Sequence, residues 1–129
     1  MRRSPLAAGV SVLGLCLAAC GPAAPTPPPT LDPNSLAGRG LVLFRADCAA
    51  CHALEPEVVI VGPSLAGVAD RAGQRVAGLT AEAYLHDSIL NPDDYVVAGF
   101  APGTMRQDFA TALTSDEVEA LVAFLLTLK

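Results

Sequence analysis

Apolar residues recur at helical spacing in three stretches of this 129-residue chain. Asn34 or Ser35 can cap the first, because a short side-chain oxygen accepts from the free amides of a first helical turn. Leu36, Gly40, Leu43 and Phe44 then share a face that leads into Cys48. Thr80 caps a second helix in which Leu85 and Ile89 share a face, and Asn91-Pro92 stops it. A third helix opens at Thr114, with Glu117 three positions on as a capping box. Its Val118, Leu121, Val122 and Leu125 form an i, i+3, i+4, i+7 stripe. Residues 55–78 and 93–112 read as loops, and no strand pattern exceeds residues 58–61. The reading is all-α: three or more short helices joined by long loops.

The first nineteen residues stand apart from that pattern. Arg2 and Arg3 precede an uncharged apolar run over residues 6–19, the signature of an export signal and short for a bilayer span. The run ends in Leu17-Ala18-Ala19-Cys20, which resembles a bacterial lipobox, where cleavage precedes a cysteine that becomes lipidated. The competing reading is an ordinary signal peptide with Cys20 at the cut. Lipidation is preferred, because a free thiol in an oxidising compartment is a liability. Residues 21–33 hold six prolines in thirteen positions. Such a stretch favours extended polyproline II and reaches roughly 40 Å at ~3.1 Å per residue. A disordered terminus fits the composition equally; the lipobox beside it favours a tether. The expected organisation is a signal peptide over 1–19, lipidated Cys20 with a Pro-rich tether over 20–34, and one domain over 35–129.

Charge narrows the partners. Loss of Arg2 and Arg3 with the signal peptide takes the net charge from −5 to −7, and the only lysine is Lys129. Phosphate would be repelled, so no nucleic-acid partner is expected. The domain of about 95 residues has two Tyr, four Phe and no Trp. Long loops on so small a frame bury little apolar surface, which calls for something else in the middle.

Cys48-Ala49-Ala50-Cys51-His52 supplies a candidate. C-x-x-C-H reads as covalent attachment of haem c, two thiols adding across the porphyrin vinyl groups with the adjacent histidine placed beneath the iron. The same cysteines can be read as a thioredoxin-like pair or half of a zinc site. The first expects a βαβ setting, which the pattern lacks; the second wants more Cys or His, and only His86 remains. With Cys16 removed and Cys20 lipidated, no structural disulfide is needed.

With these residues in view, positions 35–128 resemble the class I cytochrome c family. Gly40 and Phe44 precede Cys48 at the family's spacing, and Leu121-Val122-Ala123-Phe124-Leu125 is similar to its closing-helix motif. The resemblance implies a cytochrome c fold, three to five short helices wrapped around one haem, with Phe124 packed over Gly40 where the terminal helices cross. Gly62-Pro63-Ser64-Leu65 resembles the loop whose proline carbonyl orients the proximal His52. Arg71, Tyr95 and Thr104 are implied neighbours of the haem propionates. Pro102-Gly103-Thr104-Met105 is similar to the family's axial methionine loop, making Met105 the implied sixth ligand. Two departures stand out: residues 96–101 are longer than in mitochondrial relatives, and Met105 follows Thr104 directly. His86 is the rival ligand, but lies off the Leu85/Ile89 face.

The function implied is single-electron transfer by a carrier or complex subunit, not an enzyme. Its expected partners are redox proteins of a membrane electron-transport chain, respiratory or photosynthetic. Residues 91–129 are similar to the lipoprotein monohaem subunit of alternative complex III and to oxidase-associated cytochromes. The expected location is the outer, periplasmic or extracytoplasmic, face of a bacterial membrane. The alternative is a haem-based enzyme or sensor with an open or displaceable distal site.

Overall fold

The computed structural model describes residues 30–129; the signal segment, Cys20 and most of the Pro-rich stretch lie outside the described residues. Five helices follow: α1 (Leu36–Asp47), α2 (Val68–Ala72), α3 (Ala81–Leu90), α4 (Phe109–Ala112) and α5 (Ser115–Leu125). Each long helix begins where its cap requires. Ser35 Oγ accepts from the Gly38 amide at 3.0 Å, and Thr80 Oγ1 from the Ala83 amide at 3.1 Å. Thr114 and Glu117 close a reciprocal box, the Thr114 amide donating to Glu117 Oε2 at 2.8 Å. These bonds satisfy orphan amides of the first turn.

The core forms where α1 crosses α5. Val118, Leu121, Val122 and Leu125 are all buried, as the stripe requires, and Phe124 joins them at 1% exposure. A Cβ on Gly40 would collide with the Ala120 carbonyl and lie 2.8 Å from Phe124 Cβ, so only glycine permits the approach. Phe44 meets Phe124 at 5.3 Å between ring centroids, tilted by 48°. Tilted pairs of this kind add to the area they bury.

Three expectations are corrected. Residues 55–78 contain α2, which opens at Gly67 in the left-handed region (φ 64°) without a side-chain cap. Five residues are too few for a periodic signal; burial of Val68 and Ala72, and the Ala69 amide donating to Leu128 O at 3.0 Å, hold it instead. Residues 93–112 contain the single turn α4, inserted through buried Phe109. Leu36 is not on the core face: one turn before the crossing, it stays 41% exposed. Residues 58–61 make no strand, only an isolated antiparallel bridge between His52 and Val59.

Candidate functional site

The end of α1 sets the first wall of the site. Cys48 caps the helix, its amide donating to Phe44 O at 2.9 Å, and the chain then turns tightly. The Cys51 and His52 amides both donate to Cys48 O at 3.0 Å. Both thiols and the imidazole thereby reach one apolar cavity of about 260 Å³. The other walls come from residues 62–65, α2, α3, the 92–106 loop and the inner face of α5.

Every site residue expected within the described region lines this cavity: Cys48, Cys51, His52, Pro63, Arg71, Tyr95, Thr104 and Met105. They come from segments up to 57 residues apart in sequence, and only the fold brings them together. Cys20 lies outside the described residues. His86 is about half exposed on the far side of α3, its Nδ1 3.7 Å from Asp87, and does not line the cavity.

His52 is oriented as a metal ligand would be. Its Nδ1 lies 2.9 Å from Pro63 O. A carbonyl only accepts, so Nδ1 carries the proton and Nε2 keeps the lone pair. Gly62 makes the approach possible, since a Cβ there would run into the imidazole ring. The Val61 and Gly62 amides donate to Cys51 O at 3.2 and 2.9 Å, fixing this loop to the cysteine turn.

Arg71 has a role beyond the one expected of it. Its guanidinium donates to Ala66 O and, at 2.6 Å, to Ser64 O, bracing the loop that carries Pro63. Burial, with Arg75 nearby, lowers its pKa from the ordinary value. Tyr84 and Arg75 are among the cavity residues that the sequence pattern did not single out. Tyr84 is buried and meets Tyr95 edge-on at 5.6 Å between centroids. Its position one residue before Leu85 and five before Ile89 was the available signal.

The far wall is tied down by polar contacts. Both carboxylate oxygens of Asp93 accept from the Gly103 amide, at 2.8 and 3.0 Å, which closes the 93–103 loop. Arg106, directly after Met105, donates to Asp108 at 2.8 and 3.1 Å and stacks over Phe109 at 4.6 Å. It also lies 3.6 Å from Asp47, linking the Met105 loop to the residue before Cys48.

The chemistry of the donor set fits covalent haem c. Both cysteines are free, half-buried thiols facing one apolar space beside an oriented imidazole and a thioether. Burial, reinforced by Asp47 and Cys51 and opposed by Arg106, pushes the Cys48 thiol up to about 11. It is therefore not the low-pKa thiolate that a thioredoxin-like pair uses. Among the described residues, no group of three or more His, Cys, Asp or Glu side chains converges as a metal-ion site, as a zinc tetrad needs.

The family model for Cytochrome c matches residues 37–129. Among solved structures, cytochrome c from Rhodothermus marinus is similar over 84% of this chain and 89% of that chain, with 23% identity and a TM-score of 0.45.

Proposed function

The chain belongs to the cytochrome c family, and from that premise we propose that it is a lipid-anchored, single-haem electron carrier or complex subunit on the outer face of a bacterial membrane. Membership carries covalent haem c on Cys48 and Cys51, and haem-based electron transfer. Bound haem supplies a one-electron iron couple. In this reading, His52 and Met105 would hold the iron, and with both ligands supplied by the protein the chemistry left would be electron transfer rather than substrate turnover. Pro63 fixes the His52 tautomer and Gly62 lets it approach. Arg71 steadies that loop, and Tyr95, Thr104 and the remaining Arg71 donors would hold the propionates.

The observation that carries the reading is the convergence of Cys48, Cys51, His52 and Met105 on one apolar cavity. Lipidation of Cys20 rests on the lipobox, and the Pro-rich stretch then spaces the domain from the bilayer. Redox proteins of a respiratory or photosynthetic chain are the partners this placement calls for, and the similarity of residues 91–129 favours a complex III-type or oxidase-associated setting.

The test is spectroscopic. The oxidised protein is expected to show the red-edge absorption band of sulfur-to-iron ligation, and Met105→Ala is expected to abolish it, lower the potential and admit carbon monoxide. A wild-type protein that lacks the band and binds carbon monoxide rapidly is an enzyme or sensor instead. Cys20→Ala is expected to release the protein from membranes with its spectrum unchanged; retention would show that a partner subunit holds it.

A further inference from the structure

Four consecutive β-branched residues, Val58, Val59, Ile60 and Val61, are between 44% and 61% exposed. Scattered apolar residues are normal on a surface, but a contiguous ribbon marks an interaction site. This ribbon is also tied to the cysteine turn. Val59 is bridged to His52, and the Val61 amide donates to Cys51 O at 3.2 Å. Glu57, just before it, sits at φ 62°, in the left-handed region that non-glycine residues seldom adopt.

Its position gives it a use. Val61 belongs to the wall of the haem cavity, and Ile60 lines a neighbouring groove with Leu41, Ala49 and Leu54. The rim is acidic on balance: Glu55 and Glu57 are exposed, neither forms an ion pair among the described residues, and they outnumber the one arginine of the groove, Arg45. We infer that residues 58–61 dock a redox partner whose own face is apolar and rimmed by Lys or Arg. This rests on the electron-transfer reading and names the kind of partner that reading leaves open. Apolar contact supplies the close approach, and the acidic rim selects the basic partner.

The test uses the holoprotein of the full chain with Cys20→Ala, so that acyl chains do not mediate adsorption. It is placed on gold electrodes bearing alkanethiol monolayers ending in mixed methyl and amino groups, in hydroxyl, or in carboxylate. Coverage, electron-exchange rate and midpoint potential are read by voltammetry. Coverage and rate are expected to be highest on the methyl–amino surface. Val59→Ser with Ile60→Ser is expected to lower coverage there about tenfold, with potential and spectrum unchanged. Val42→Ser removes an equally exposed valine from α1, 59% exposed, and is expected to change nothing. Equal behaviour on hydroxyl, preference for carboxylate, or an equal loss in Val42→Ser each overturns the proposal. A haem-loaded protein that exchanges no electrons on any surface defeats the electron-transfer reading itself.

Discussion

The α1–α5 crossing and the 91–108 loop lie on opposite terms with the cavity. At the crossing the protein packs against itself: Gly40 meets the Ala120 carbonyl, Phe44 meets Phe124, and the contact is dry and close. In the loop, residues 101–104 are exposed, Gly99 and Gly103 turn at φ 93° and 74°, and Tyr95, Val96, Phe100 and Met105 face the cavity. Apart from Tyr95 against Tyr84, what ties the loop down is a few surface polar contacts, Asp93 on the Gly103 amide and Arg106 on Asp108 and Asp47. Exposed ion pairs contribute roughly 0–1 kcal/mol each. One region is complete as protein, and the other is shaped to be completed by the group it encloses.

The largest separation of the two should come from removing that group. Cys48→Ala with Cys51→Ala is expected to abolish covalent haem and reduce helicity, with the 91–108 amides losing hydrogen-exchange protection before those of α5. Uniform protection in both regions would show that the loop stands without haem. Next in size is Gly40→Val, which attacks the crossing directly. Its branched side chain would meet backbone rather than a movable side chain, so a loss of about 3 kcal/mol or more is expected in denaturant unfolding of the holoprotein.

Gly62→Ala touches neither region but the cavity wall that carries His52, because its Cβ would press on the His52 ring. A loss of about 1–3 kcal/mol is expected, together with a changed haem spectrum, whereas Gly40→Val should leave the spectrum of surviving folded protein intact. Smallest is the cap of α5. The Thr114 amide, aided by the Thr114 hydroxyl, holds the Glu117 carboxyl below its usual pKa. A depressed carboxylate stabilises the fold above its unfolded pKa, and that contribution fades as pH falls through the lower folded value. Glu117→Gln is therefore expected to be slightly less stable than wild type near neutrality, and the gap should close in acid; a gap constant with pH would discount the charge.

Much of this site was legible early because its parts are local. Cys48, Cys51 and His52 are bound to one helical turn by spacing alone, and Pro63 follows them closely on a loop that the resemblance singled out. The roles of Arg71 and Tyr84 were less legible, because each depends on which strand of backbone happens to lie opposite. Arg71 donates to Ser64 and Ala66, carbonyls whose direction no side-chain pattern encodes.

The sequence by itself determined the three long helices, through caps at Ser35, Thr80 and Thr114 and the stripe on α5, since those energies are set within a few residues. It also determined the haem attachment turn. Only the tertiary structure decided that α2 and α4 exist, because helices of five and four residues are too short to hold without neighbours. Only the tertiary structure decided that residues 58–61 stand outside the core. Their apolar side chains are those of a buried strand; among the described residues no second strand pairs with them, and the bonds to Cys51 and His52 hold them at the surface.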